Sequence, residues 1–359
     1  MPHTQPLFAE LLESARHIAK NALLPNANAV DKSDRVPIAH LAQLAEAGLM
    51  GLAVPTEHGG HGAPLPVLRR YHGILAEACG TTAFVAIQHA SACALIARSP
   101  HKSLQHRLLP RMAKGEIFGA PAFSHLRRPG PPSVTVRREN SHFVIDGVAP
   151  WVTGWGAISV IALGATDSNG DHVYIAVPID EVAGIKAWPP MHLVAMNASS
   201  TVSITFSGAR VHNDHLLFVQ TSDEARASDA KSTLNQAPCS LGAARAAAKI
   251  LDHLAENDAA ITAAARAFHS EIDVAWADVE TWAERLDDPA FVESALAVRA
   301  HCIELGVRAA LAAVVASGGS SLKTDRDPQR IYREAALYSV APQTPALKRA
   351  TLARLSHRR

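Results

Sequence analysis

Histidine and cysteine are the residues most able to do chemistry here, and their spacing argues first by exclusion. The 359 residues hold 19 histidines and 4 cysteines. The histidines are scattered, with no His-Glu-x-x-His and no paired Cys/His spacing of the kind that holds zinc, so no metal site is expected. His58 and His61 share one loop, where two histidines are expected to be surface polar residues. Cys79, Cys93, Cys239 and Cys302 form no Cys-x-x-Cys pair and sit in apolar, helix-like text, as small hydrophobes in a reducing compartment. No Gly-x-Ser-x-Gly elbow, Walker loop or Gly-x-Gly-x-x-Gly dinucleotide turn occurs. Arg127 and Arg128 stand side by side and could grip a phosphate or carboxylate, although a solvated loop pair is the commoner outcome.

Composition narrows the classes further. Hydrophobic residues make up 48% and charged residues 19%, a globular balance, and the formal net charge is +1. That charge supplies no field for nucleic acid. The basic end His357-Arg358-Arg359 reads as a solvated tail. The start, Met1-Pro2-His3-Thr4-Gln5-Pro6, has no apolar run behind a positive cluster, and no stretch reads as apolar and uncharged for long enough to span a bilayer. A cytoplasmic protein with no membrane partner is expected.

The elements that must position any site change character twice. Helical periodicity runs over Leu7 to Leu24, where Pro25 is expected to end it, then Val36 to Leu49, Leu65 to Glu77, Thr82 to Ala97 and Leu104 to Ala113. From Phe118 to Leu217 short β-rich runs are cut by turns, as in Val134 to Arg138 and Phe143 to Gly147, or the pair flanking Ser168-Asn169-Gly170-Asp171. After Asp223 the text is Ala-rich and helical: Leu241 to Leu254, Ala259 to Phe268, Val274 to Leu286, Phe291 to Ser317 and Pro328 to Leu355. The order is α, β, α, which predicts segregated α+β domains: a helical domain over 1–116, a β-barrel-like domain over 117–222 and a helical bundle over 223–359.

Several local texts in this order carry a resemblance. They are Pro55 followed by Gly59-Gly60-His61-Gly62, Trp151-Val152-Thr153-Gly154-Trp155-Gly156, and Ala198 to Phe206 ending in Arg210-Val211. Late in the chain come Gly318-Gly319 and Arg330-Ile331-Tyr332-Arg333-Glu334-Ala335. Together they resemble the acyl-CoA dehydrogenase superfamily, which includes flavin-dependent monooxygenases of the same fold. The resemblance covers nearly the whole chain. It implies a flavin, FAD or alternatively FMN. Trp151 and Thr153 match residues against the ring and near its reactive nitrogen, Phe123 and Ser124 match the pair at the pyrimidine side, and Thr344 follows the usual catalytic position. Gly318 and Gly319 match a turn that approaches the cofactor of a partner subunit, so a homodimer or homotetramer is implied. His89 is the titratable residue that the resemblance places near the flavin, where it could supply a proton in oxygen activation.

The departures bear on chemistry. The family's base is a Glu in Tyr-Glu-Gly-Thr; here the text is Ala341-Pro342-Gln343-Thr344, and the family's second Glu position holds Ser232. Removing an α-proton needs a base that contributes roughly 10²–10⁴-fold. The segment that usually lies along the CoA ester reads Ser124-His125-Leu126-Arg127-Arg128-Pro129-Gly130, and Glu256-Asn257-Asp258-Ala259 stands where the family's Arg-x-x-Phe loop falls. Three readings stay open. The chain is a flavin oxidoreductase on an acyl thioester or small molecule, served by an electron-transfer partner. Alternatively it is a monooxygenase fed by a separate flavin reductase. The third is an inactive member acting as a scaffold.

Overall fold

The computed structural model describes residues 4–356, so the basic end His357-Arg358-Arg359 and the first residues Met1-Pro2-His3 lie outside the described residues. Helices come first: α1 Thr4–Ile18, α2 Leu24–Lys32, α3 Ile38–Glu46, α4 Leu65–Ala78, α5 Gly80–Ile96 and α6 Lys102–Ala113. Strands follow: β1 Phe118–Ala122, β2 Val134–Glu139, β3 His142–Val152, β4 Ile158–Thr166, β5 His172–Pro178, β6 Ile185–Ala187, β7 Val202–His212 and β8 Leu216–Gln220. Helices close the chain: α7 Ser222–Lys231, α8 Ala237–Leu254, α9 Ala259–Ala283, α10 Phe291–Ser317, α11 Asp327–Tyr338 and α12 Pro345–Ser356.

Three helix boundaries differ from expectation. Pro25 does not end the first helix. A π-helical turn over Ala19–Leu23 leads straight into α2, and its wider i→i−5 bonding carries the chain past Pro25, the second residue of α2. The two runs after Ala259 fuse into α9, because His269 to Asp273 contains neither Gly nor Pro. The last expected helix instead breaks after Tyr338, around Pro342, and resumes at Pro345.

The sheet has the order β6-β7-β3-β2-β4-β5-β8, with β1 added in parallel to β4. Alternation along β4 assigns its two faces. Ile161 and Leu163 point into the core of the β domain with Phe143, Ile145, Ile175 and Phe206. Val160 and Ala162 point the other way, onto Ala92, Cys93 and Ile96 of α5 and Leu108 and Met112 of α6. The sheet is thereby pinned to the first helical block. The two helical blocks share one core, in which Leu75 and Ala76 of α4 meet Leu241 and Ala244 of α8 and Leu305 and Ala309 of α10. Close approach requires Gly242: a Cβ there would lie 2.7 Å from the Gly73 carbonyl oxygen.

The expectation of no bilayer-length apolar stretch needs correcting. Phe291–Leu322 is long and apolar enough to cross a membrane by length and composition. In this fold α10 is the central rod of the bundle, with Ala295, Leu305, Ala309 and Ala313 buried among neighbouring helices. The four cysteines are free and buried.

Candidate active site

A cavity of about 640 Å³ opens where the sheet meets α5, α7, α10 and α12. Its wall is a ladder of rings. Phe218 of β8 stacks on Tyr174 of β5 at 4.4 Å, and Tyr174 meets Phe123 edge-on at 5.7 Å. Guanidiniums close both ends: Arg98 lies 3.5 Å over Phe218, and Arg127 lies 5.1 Å from Phe123. Burial pushes the Tyr174 phenol above its ordinary pKa, so it stays protonated at neutral pH.

The cavity is cationic. Arg98, Arg127, Arg128, Arg226 and Arg349 line it, and Asp229 is its one carboxylate among the described residues. Arg127 donates to both oxygens of Asp229, at 2.7 and 2.6 Å, so that acid is engaged in a two-pronged pair. His172 also lines the wall, with a buried Nδ1 that has no partner among the described residues. Burial lowers its pKa and favours the neutral ring.

A second feature lies at the end of β3. Trp151 is 44% exposed, although the strand's alternate residues are buried. Two residues on, Thr153 is buried and its hydroxyl lies 3.0 Å from that of Thr201, which lies 2.9 Å from that of Ser199. Tight backbone brings them together: Gly154 has φ +89°, and Met196 and Ser200 flank Asn197–Ser199 with φ of +59° and +47°. The amide of Gly154 donates to the Ser199 carbonyl at 2.8 Å. Three hydroxyls carry three hydrogens, and their two mutual contacts consume two, which leaves one O–H for an outside acceptor. An exposed indole beside a spare buried donor fits a flat heteroaromatic group with a polar edge, so the chain's residues fit the cofactor that the sequence resemblance implies.

Residues 8–116 match the family described as "Acyl-CoA dehydrogenase, N-terminal domain". A probable acyl-CoA dehydrogenase of Bacillus subtilis is 26% identical over 366 residues, spanning 95% of this chain and 96% of that protein. Butyryl-CoA dehydrogenase from Megasphaera elsdenii superposes with a TM-score of 0.84 at 16% identity, covering 99% of each chain. Dibenzothiophene monooxygenase from a Paenibacillus species superposes with a TM-score of 0.82 at 19% identity, covering 97% of each. The chain is thus similar to acyl-CoA dehydrogenases along nearly its whole length and has their fold.

Placed on this superfamily fold, the residues singled out from sequence separate into groups. Phe123 and Thr344 line the arginine-rich cavity. Thr344 also caps α12, accepting from the Leu347 amide at 3.2 Å. Ser124 is exposed and opens the short turn Ser124–Arg127 beside Phe123. Trp151 and Thr153 make up the hydroxyl-lined surface at the end of β3. Gly318 and Gly319 end α10, whose other end reaches the cavity through Val292 and Leu296. At 1.5 Å per residue, Val292 and Gly318 are about 39 Å apart. The Gly-Gly turn instead borders a second groove, of about 1690 Å³, lined by Ser317, Ser320 and Ser321 and by faces of α1, α4, α8 and α9.

His89 does not line either opening. Its Nε2 donates to the Met112 carbonyl at 3.2 Å and its Nδ1 accepts from the Gly119 amide at 3.3 Å. Both nitrogens are thus committed to backbone, and burial holds the pKa down at about 4. His58, expected at the surface, is buried against Gln105 at 3.1 Å. Pro342 is exposed and does not line the cavity, while Ser232 lines it and donates to the Asp229 carbonyl at 3.1 Å. Asp258 caps α9 through the Ala260 and Ile261 amides. One trio, Glu271, His301 and Glu304, has the composition of a metal site, with its atoms within 4.8 Å of one another. Arg308 bonds both carboxylates at 2.6 and 2.7 Å, and Arg354 approaches His301 and Glu304, so guanidiniums already supply the positive charge.

Sequence reasoning passed over His172, Tyr174, Phe218, Arg98 and Asp229. Each stands in unremarkable text, and what marks them is convergence from four separate elements.

Proposed function

We propose that this chain is a flavin-dependent oxidoreductase of acyl-CoA dehydrogenase type whose substrate occupies the arginine-rich cavity. The observation that carries the reading is the surface at the end of β3, where exposed Trp151 stands beside three buried hydroxyls with one O–H to spare. Bound there, a flavin would supply reversible acceptance of hydride and electrons. The chain's own residues would do the rest. Trp151 packs against the ring, the Thr153 hydroxyl bonds its polar edge, and Phe123 and Ser124 border the pyrimidine side, with Thr344 near the substrate. Gly318 and Gly319, about 39 Å along α10, would serve the cofactor of a second copy. That separation favours FAD over FMN, because a dinucleotide needs contacts beyond the ring, and it favours a homodimer or homotetramer.

A second reading is favoured by a specific observation. The cavity's one described carboxylate, Asp229, is held by Arg127, and neither Pro342 nor Ser232 can take a proton. An α-proton therefore has no free carboxylate to accept it and only the neutral His172 ring remains, whereas oxygenation by reduced flavin from a separate reductase needs no such carboxylate. Purified protein loaded with FAD tests both. Bleaching of the flavin by an anaerobic panel of acyl-CoA thioesters supports the dehydrogenase. Absence of bleaching, with oxygen incorporated into a small molecule when reduced flavin meets air, supports the monooxygenase. Failure to bind flavin in excess would sink both and leave a scaffold.

A further inference from the structure

The cavity carries more positive charge than the fold needs. Of its five arginines, Arg127 is paired with Asp229 and Arg226 with the exposed Asp223. Arg98, Arg128 and Arg349 have no carboxylate partner among the described residues. The whole chain has a formal charge of only +1, so three unpaired guanidiniums at one opening are a concentration of charge, not a general bias. A second feature acts in the same direction. The 12-residue helix α12 begins at this opening, with Thr344, Pro345 and Ala346 in the lining, so the positive end of its dipole adds to the field.

Beside the arginines the lining carries a continuous apolar stretch. Phe123, Tyr174 and Phe218 form the ladder and Leu95, Leu126 and Leu296 extend it, while His172, Asp229, Ser232 and Thr233 add polar atoms to the lining. Arg98, 3.5 Å over the Phe218 ring, is held in place by the ring it covers. The Tyr174 hydroxyl has no hydrogen-bond partner among the described residues and stays a donor, because burial keeps it protonated. A volume of about 640 Å³ suits a compact molecule.

The geometry points to a substrate class: a compact organic anion with an apolar or aromatic body, its ring or chain against Phe218 and Tyr174 and its acid group on Arg128 and Arg349 at the start of α12. This rests on the reading of the cavity as the substrate site of a flavin-dependent oxidoreductase. A carboxylate here would satisfy two guanidiniums that have no carboxylate partner among the described residues, while the apolar body covers the ladder. A neutral amide of the same shape keeps the second gain and loses the first.

The test is calorimetric titration of the flavin-loaded protein with three probes: 2-naphthoate, naphthalene-2-carboxamide and coenzyme A. The expected result is naphthoate binding roughly tenfold or more tighter than the carboxamide, since the lost bonds involve charged donors, and a difference that shrinks as salt rises. Arg128→Gln with Arg349→Gln should abolish the preference and leave carboxamide binding unchanged. Arg285→Gln, on an exposed part of the bundle beside Trp282, should change neither. Equal binding of acid and amide, or no binding of either, overturns the inference. So does coenzyme A binding tighter than naphthoate and weakening in the double variant, because the arginines would then belong to a thioester carrier. Flavin absorbance per chain is read on the same samples. Charge preference without bound flavin keeps the anion site and rejects the oxidoreductase, whereas bound flavin without charge preference does the reverse.

Discussion

Acid should unfold this protein earlier than its carboxylates alone would dictate, because three buried histidines must stay neutral. Burial holds the imidazoles of His72, His89 and His125 down at about 4, against 6.5 for a solvated ring. The unfolded chain takes up protons at these sites from about pH 6.5 downward, while the folded chain refuses them until about pH 4. Between those limits the unfolded state binds more protons, so stability falls as pH falls, and below the lower limit the loss levels off. One unit below 6.5, each site costs about 1.4 kcal/mol, or about 4 kcal/mol for the three, within a typical total of 5–15 kcal/mol. Glu139 and Asp146 have pKa values lowered by their arginine and amide partners, so their own loss of stability sets in only from the ordinary carboxylate range downward. The assay is urea unfolding followed by circular dichroism at pH 7.5, 6.5, 5.5 and 4.5. Stability should fall by about 1 kcal/mol from pH 7.5 to 6.5 and more steeply below, and His89→Gln should reduce the slope by the equivalent of one proton. A flat profile from pH 7.5 to 5.5 would refute the argument, as would a His89→Gln slope identical to that of the parent.

Three further outcomes follow from packing and charge. Gly60→Ala places a Cβ 2.2 Å from the Val54 carbonyl oxygen and 2.7 Å from that of Gly51, so a loss of about 3 kcal/mol in urea unfolding is expected. Glu334→Ala removes the buried carboxylate of Arg330, which keeps Asp327 and Asn28, and strands the Gly80 amide; a loss of about 3 kcal/mol is expected, read by thermal unfolding at neutral pH. Arg299→Met should leave the melting temperature unchanged or raise it. Arg299 is fully buried, bonds only Ser240 and the Tyr338 carbonyl, and has an unpartnered Nε, so its removal relieves a desolvated charge.

The α–β–α order was legible because period and composition change together near Ile117 and again near Asp223. Junctions were less legible. Pro25 reads as a stop in any local window, and only the preceding π turn lets the chain continue. The break after Tyr338 needed the weight of two prolines against an otherwise helical text. Of the site, Trp151 and Thr153 could be found because they lie in one short motif. Ser199 and Thr201, which complete the hydroxyl trio, read only as the approach to a strand. Of the ring ladder only Phe123 drew notice: Arg98, Tyr174 and Phe218 are far from it in the chain, and β5 pairing with β8 creates the contact.

The hydroxyl trio has a property that no single donor or acceptor shares. Either atom can donate in each of its two contacts. If the chain runs from Thr153 through Thr201 to Ser199, Thr153 turns a lone pair outward. Run in reverse, it turns a hydrogen outward, and no heavy atom moves. The surface is thus indifferent to the polarity of what faces it. A guest atom that exchanges a lone pair for a hydrogen as it gains electrons would be greeted equally well before and after, and the protein would hold both forms without favouring one through this contact.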